Sequence, residues 1–333
     1  MDAPWTPYTP EHVPALIDIW NAVLDGAIPL GPELWRQQID EDPLFTPDDC
    51  LIAAGADGRI AGFAITRQLP ESQIQAYPGL DDARGRGYIM ALAVHPRARS
   101  QGYGRRLLEA AEARLRAQGA RRIVLWGPPG LLVPAVPRAG GSAGFWARHG
   151  YTDPQVVADL RGDLHGWQAP PPPAAVTSGA YAFRQGHAGE ETAILAWMDA
   201  AFPGSWPYGL RRAFSRGYRP ADVTLLVDDS DAIRGFCCAF HAASGWLGGG
   251  SLYFPPTGGQ DWGGLGPLGV ETAVRGLGLG LAIVAAGVVY LQGQGVRRCG
   301  IDWITLRDFY AKLGFGIWQE YDGMVKHLLP SED

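Results

Sequence analysis

Paired cysteines are missing from this 333-residue chain, which has four cysteines and no Cys-x-x-Cys pair. Neither a metal site nor a disulfide framework is therefore indicated. Cys237 and Cys238 lie in the apolar run GFCCAF, so we expect small core residues in a reducing compartment. Basic charge is also scarce, because the formal net charge is −6. This balance argues against a nucleic-acid partner held by bulk electrostatics.

Long hydrophobic runs are absent too. The longest, LAIVAAGVVYL, falls well short of the ~20 residues that a membrane span needs. The first residues, MDAPWTPYTPEHV, have neither the basic nor the apolar region of a signal peptide. We therefore expect a cytoplasmic protein with no membrane partner.

An internal repeat is the main feature that the chain does contain. Residues 92–122 align without a gap with residues 268–298, at a constant offset of 176 positions. Val94 then matches Val270, and Arg99 matches Arg275. Because the matches keep their order over a long stretch, they indicate a duplicated domain.

A proline-rich run separates the two copies. Residues 166–178 contain APPPPAAVTS, a composition typical of an extended, semi-rigid spacer. We predict one domain at residues 1–165, a linker at 166–178 and a second domain at 179–333. Two domains also fit the chain length.

Each half follows the same predicted order of elements. A short strand and a helix come first, and a run of antiparallel strands follows. A glycine-rich turn, a helix, a strand, a short helix and a last strand complete the half. This order predicts a mixed α/β fold. The helix after the second turn carries almost no charge, so we expect it to pack against the other domain or another subunit.

The glycine-rich turn connects a strand to a helix in both halves. Its pattern is R-x-x-G-x-G, which is neither a Walker A loop nor a complete Rossmann fingerprint. Backbone N–H groups at a helix start lack intrahelical partners, and glycine lets an anion approach them. A pyrophosphate would suit such a turn.

The stretch LAVHPRARSQGYGRRLLEAAEARL resembles the acyl-CoA signature of the GCN5-related N-acetyltransferases (GNAT). The resemblance covers nearly the whole chain as two tandem GNAT-like domains. It implies that acetyl-CoA is the cofactor, with the pantetheine arm along the strand and the pyrophosphate on the turn. The cofactor-binding residues it implies are Leu92, Val94, Arg99, Ser100, Gln101, Gly102, Tyr103, Gly104 and Arg105, and Leu268, Val270, Arg275, Gly276, Leu277, Gly278, Leu279 and Gly280.

The resemblance also implies a general acid, a tyrosine in the later helix. Tyr310 stands there in the second half, whereas the first half has Trp146, whose indole is no proton donor near neutral pH. The glutamate that often serves as the general base in this family is missing from both halves. Asp302, at a strand end, is our candidate for the base or for a ligand of the substrate amine, and its counterpart in the first half is Trp126.

We therefore expect an N-acetyltransferase that moves an acetyl group to a primary amine of a small molecule or peptide, with the chemistry in the second domain. The alternative is a CoA-binding regulatory or interaction protein in which one or both domains are inactive. A third hypothesis is transfer of a longer acyl group or of an aminoacyl group. A homodimer is one expected assembly. The proline- and glycine-rich insertion at 127–144 is expected to form a lid or to fill the groove between the domains.

Overall fold

The computed structural model describes residues 5–76, 79–127 and 132–328. The chain divides into two compact units. Unit 1 comprises Met1–Val157 and Glu320–Asp333, and unit 2 comprises Ala158–Gln319. Both units combine helices with a mixed sheet, so the predicted α/β class is confirmed.

The first repeat supplies most of unit 1. Its strands are β1 (Trp5–Thr6), β2 (Cys50–Ala54), β3 (Ile60–Gln68), β4 (Arg86–Val94), β5 (Arg122–Val124) and β6 (Val136–Pro137). Its helices are α1 (Val13–Val23), α2 (Pro32–Trp35), α3 (Glu71–Ala76), α4 (Tyr103–Ala117) and α5 (Ala143–Arg148). In the sheet, β1 to β4 are antiparallel neighbours, and β5 lies parallel to β4. The apolar face of α4, with Leu107 and Ala111, packs on this sheet.

The last strand of the first repeat and a short helix in the linker come next, and the elements after them repeat the order of the first half. In chain order, all of these are β7 (Thr152–Asp163), α6 (Ala174–Thr177), β8 (Tyr181–Gln185), α7 (Glu191–Ala201), α8 (Ser205–Ser215), β9 (Val223–Asp228), β10 (Ile233–His241), β11 (Trp262–Val270), α9 (Leu279–Gly293), β12 (Arg298–Ile304), α10 (Arg307–Ala311) and β13 (Gly316–His327). In unit 2, β8 to β11 are antiparallel neighbours and β12 lies parallel to β11. One core cluster includes α9 with Cys237, and a second includes α7 and α8 residues with Cys238, so both cysteines are core residues as expected.

The last strand of each repeat crosses the division between the units. The residues of β7 from Ala158 onwards pair with β12 in unit 2. The residues of β13 that follow Glu320 pair with β5 in unit 1. Each unit therefore takes a strand from the repeat that supplies most of the other unit. The predicted boundaries at 165 and 179 were drawn from composition and stay a prediction.

The proline-rich segment packs on unit 2. Trp167 donates its indole N–H to the carbonyl of Leu313, and Gln292 near the end of α9 donates to the carbonyl of Trp167. Pro173 then lies beside Gly278, just before α9, where a Cβ on the glycine would be 3.1 Å from the proline ring. The six residue steps from Trp167 to Pro173 span about 19 Å when extended as polyproline. The fourteen helical steps between Gly278 and Gln292 span about 21 Å, so the segment is long enough to follow α9. The sheet and this segment therefore cover much of the uncharged surface of α9 within its own unit, while Val289 is 50% exposed.

Among residues 5–76, 79–127 and 132–328, no helix is both long enough and apolar enough to cross a bilayer.

Candidate active site

The two glycine-rich turns have the same backbone conformation. Gly102 and Gly278 stand just before α4 and α9 with φ of 82° and 78°. Two residues earlier, Ser100 and Gly276 also have positive φ, at 61° and 83°. Because φ > 0 costs little only for glycine and a few polar residues, the repeat pattern in the sequence specifies this shape.

Each turn leaves a set of backbone donors free of the helix. The first intrahelical bonds run from Arg106 N–H to the Gly102 carbonyl, and from Ala282 N–H to the Gly278 carbonyl. The N–H groups just before these donors therefore have no partner within the helix. Within the described residues, no side chain caps either helix start. A diphosphate matches this donor set, since the helix dipole adds positive potential there.

The second glycine of each turn has a different role from the first. Neither Gly104 nor Gly280 has a positive φ. A Cβ at Gly280 would meet only the Phe309 ring at 3.7 Å, and one at Gly104 would meet Phe145 at 3.5 Å and Val94 at 3.8 Å. These are ordinary van der Waals distances, so the fold itself tolerates alanine. The absence of a Cβ therefore lets a ligand approach the backbone closely at these two glycines.

The other predicted cofactor residues divide into exposed and buried groups. Arg99, Gln101 and Arg105 are exposed, as are Arg275 and Leu277. Tyr103 and Leu279, by contrast, are buried in the cores of their units. Tyr103 and Leu279 can therefore offer a ligand only their backbone N–H groups.

The strand before each turn separates from its parallel neighbour. Pairing between β4 and β5 covers Arg86–Tyr88, and pairing between β11 and β12 ends at Leu265 with Ile301. Beyond these points lie the predicted strand positions, namely Leu92, Val94, Leu268 and Val270. In unit 2, Pro267 follows the last pair and has no N–H to donate. The geometry therefore provides an opening that leads from the sheet to the glycine turn.

Asp302 stands at the opening in unit 2, directly after Ile301, the last residue of β12 that pairs with β11. Its Oδ1 lies 3.8 Å from the position that a Cβ on Gly266 of β11 would occupy. Burial raises the pKa of this carboxyl to about 6, although a hydrogen bond from the Gly250 N–H works in the opposite direction. A carboxylate with a pKa near 6 is well matched to accepting a proton at neutral pH.

A run of glycines packs against this opening. A Cβ at Gly249 would overlap the backbone of Gly266, and a Cβ at Gly250 would overlap that of Gly300. The segment thus lies directly on β11 and β12, with the Gly250 N–H on Asp302. Sequence reasoning did not identify this segment, although the run WLGGGS was a visible signal.

Tyr310 lies in the same unit, on α10, and is 8% exposed. Burial raises the pKa of its hydroxyl well above 10, and the nearby Asp302 carboxylate acts in the same direction. The hydroxyl therefore keeps its proton at neutral pH. Within the described residues it has no hydrogen-bond partner, which leaves the proton available for donation.

Unit 1 has the same opening with different side chains. An apolar cavity of about 100 Å³ lies there, and Trp126 and Trp146 both contribute to its wall. These residues occupy the repeat positions of Asp302 and Tyr310. The described part of the 127–144 insertion also lines the cavity, through Leu132 and Val133 among others, while residues 128–131 lie outside the described residues.

Other polar candidates in unit 2 lie in ion pairs or in a buried network. The His241 imidazole is hydrogen-bonded to Asp222, which also accepts from Tyr290 and Arg219. Asp261 pairs with Arg298 at the start of the parallel strands. We therefore interpret His241 and Asp261 as residues that stabilise the fold.

Comparison with known proteins identifies the fold and the family. The family model "Acetyltransferase (GNAT) family" matches residues 16–137. The mycothiol acetyltransferase of Salinispora arenicola is 30% identical over 315 residues, covering 89% of this chain and 87% of that protein. The glucosamine N-acetyltransferase region of a fungal multidomain β-N-acetylglucosaminidase superimposes with a TM-score of 0.81 at 21% identity, over 98% of this chain and 38% of that one. A tandem GNAT protein from the clavulanic acid pathway gives 0.64 at 18% identity, over 99% and 100%.

The fold and site thus define an acyltransferase of the GCN5-related type in tandem form. The chain belongs to the GNAT acetyltransferase family. It is an N-acetyltransferase, and acetyl-CoA is the donor that this family uses. The expected family, fold and activity are confirmed, whereas the individual site residues stay predictions.

Proposed function

We propose that this protein transfers acetyl groups in unit 2, from acetyl-CoA on the turn at 275–280 to a primary amine, with Asp302 as base and Tyr310 as acid. The observation that carries the proposal is the difference between the two openings. Unit 2 presents a carboxylate and a hydroxyl at the positions where unit 1 presents two indoles.

Acetyl-CoA supplies an activated thioester. The free N–H groups of the turn would hold its diphosphate, and the unpaired edge of β11 would hold the pantetheine arm. Asp302 would then accept a proton from the amine as its nitrogen attacks the carbonyl carbon. The carbon–sulfur bond breaks, and Tyr310 gives its proton to the departing thiolate. The products are an N-acetylated amine and CoA.

Unit 1 supports a second role within the same chain. Its glycine turn and apolar cavity are kept, but neither indole exchanges a proton near neutral pH. The family model matches this repeat, which retains the binding pattern without the acid and base. Unit 1 is therefore proposed to bind acyl-CoA without transferring its acyl group.

The acceptor is proposed from the relatives. Two relatives that align with this chain over more than four fifths of both sequences are named mycothiol acetyltransferases. A mycothiol-related amine is accordingly the first acceptor to assay, followed by other small amines and peptide N-termini. The homodimer and the cytoplasmic location stay predictions.

The test is CoA release from acetyl-CoA in the presence of this panel of amines. Tyr310→Phe is expected to lower kcat by about 100-fold, the lower end of what a general acid contributes. Trp146→Phe is the matched control at the same position of the first repeat, and should keep kcat within twofold.

Two results would count against the proposal. Loss of turnover in Trp146→Phe with full turnover in Tyr310→Phe would move the chemistry to unit 1. Acetyl-CoA binding without CoA release for any amine would favour the regulatory alternative.

A further inference from the structure

A bulge in β12 sets the position of Asp302. The pairing between β12 and β7 joins Ile301 to Leu160 and then Ile304 to Ala158. Asp302 and Trp303 therefore both lie opposite one residue of β7, Asp159. Regular alternation would place Ile301 and Ile304 on opposite faces, yet both belong to the same core cluster. The extra residue of β12 is accommodated at Asp302, which is not part of that core cluster. Bulges are known to change the direction of side chains in this way.

The bulge depends on a strained residue. Trp303 has a φ of 50°, a value that bulky side chains adopt only at a cost. Its side chain is 38% exposed, so core packing does little to offset that strain. Its backbone N–H donates to Oδ1 of Asp159 at 2.9 Å, and Asp159 is only 3% exposed. A hydrogen bond to a carboxylate in a buried setting is among the stronger ones, so it can hold the strained conformation.

Unit 1 forms the same sheet without these residues. There the Leu125 N–H donates to the carbonyl of Met324, so Trp126 lies opposite Gly323 of the last strand. This pair corresponds to Asp302 and Asp159 in unit 2. A Cβ at Gly323 would lie 2.7 Å from the Trp126 ring. The fold therefore does not require an acid at this position of the last strand, and the acid occurs in the unit that has Asp302 and Tyr310.

We propose that Asp159 is a positioning residue for acetyl transfer in unit 2, because its carboxylate holds the β12 bulge that turns Asp302 towards the opening between β11 and β12. The proposal rests on the function proposed above. Asp159 comes from the first repeat in sequence, so the reacting groups of unit 2 depend on a strand that the second repeat does not encode.

Asp302 is surrounded by groups from several elements. The Gly250 N–H bonds its carboxyl, Tyr310 of α10 lies within range of its charge, and Asp159 of β7 accepts a hydrogen bond from the next residue, Trp303. Strand β11 carries no titratable side chain. A change in the acidic limb of the pH–rate profile after substitution of Asp159 would therefore report on the Asp302 site.

The test uses the full chain and steady-state CoA release. Asp159→Ala is expected to lower kcat by 10- to 100-fold, leave KM for acetyl-CoA within twofold, and move the acidic limb of kcat away from pH 6. Asp159→Asn keeps an oxygen that can accept the Trp303 N–H, so kcat should stay within about threefold. Asp163→Ala, which removes another carboxylate of β7, should match the wild type.

A rescue variant separates positioning from general loss of structure. Glycine adopts a φ of 50° without strain, so Trp303→Gly should restore much of the kcat that Asp159→Ala loses. A wild-type kcat and pH profile in Asp159→Ala would overturn the proposal. So would a loss of kcat in Asp159→Ala that the additional Trp303→Gly substitution does not restore. If Asp302→Asn is itself fully active, the proposed base is wrong and the role of Asp159 is refuted with it.

Discussion

Asp302 is expected to destabilise the fold in which it acts. Its carboxyl has a pKa of about 6 in the folded chain, mainly because of burial, against 3.8 for the unperturbed group. A carboxyl whose pKa is raised by folding favours the folded state only while it is protonated. Folding stability is therefore lost as the pH rises through 6, and the penalty disappears below about pH 4.

The size of this penalty follows from the two pKa values. Each tenfold change in an ionisation constant is worth about 1.4 kcal/mol, so the difference amounts to about 3 kcal/mol. Asp302 is partly exposed, and solvent screening reduces the figure. Asp302→Asn removes the charge but keeps an acceptor for the Gly250 N–H. We expect this variant to be about 1–3 kcal/mol more stable than the wild type at pH 7.5, and at least 100-fold slower.

Urea unfolding at pH 7.5 and at pH 4 measures the effect. The stability difference should be present at the higher pH and absent at the lower one. Asp261→Asn is the control, because Arg298 lowers the pKa of that carboxyl and its loss should slightly destabilise the fold. Equal or lower stability of Asp302→Asn at pH 7.5 would refute the burial argument.

Three further variants test the fold that carries the site. Gly250→Ala should cost more than about 3 kcal/mol, because its Cβ would overlap Gly300 and its φ is 77°. Thermal melting can compare it with Gly141→Ala, whose backbone is left-handed but has open space, and which should cost about 1–2 kcal/mol. Asp222→Ala should cost about 3–5 kcal/mol in urea unfolding, since it strands buried partners, and a cost under 1 kcal/mol would contradict that view. Residues 179–333 alone should lack a cooperative unfolding transition, because they omit the β7 residues that pair with β12; a sharp transition would show that this pairing is dispensable.

The glycine turns could be predicted because their information is local. Positive φ at Gly102 and Gly278 follows from residue type, and the following helix starts follow from hydrophobic periodicity. The repeat then doubled the evidence. The sequence analysis also placed Asp302 at the end of its strand, and this was wrong, because β12 continues to Ile304, which pairs with Ala158 of β7.

The strand crossing could not be predicted from the repeat. Two similar halves suggest that each half completes its own sheet, yet Leu160 pairs with Ile301. Nothing in the composition of a strand specifies which of two similar edges it will join. The bulge at Asp302 and Trp303 was hidden for the same reason, because a bulge is defined by the partner strand.

Steric packing of backbone on backbone was also beyond sequence reasoning. The run at 248–250 is understandable only once Gly264, Gly266 and Gly300 are seen beneath it. Likewise, the uncharged character of α9 suggested an interface with another domain or subunit. The structure brings the proline-rich segment alongside that helix within the same unit, through Trp167 and Pro173, and the contact with another subunit stays a prediction.

The most direct test of the central claim is kcat/KM for acetyl-CoA in Gly280→Ala and Gly104→Ala. Both methyl groups fit the protein and would obstruct only a ligand at the turn. If transfer takes place in unit 2, Gly280→Ala should lose 10- to 100-fold, equivalent to one or two charge-assisted hydrogen bonds, and Gly104→Ala should stay within twofold of the wild type. The reverse pattern would contradict the account and assign acetyl transfer to unit 1.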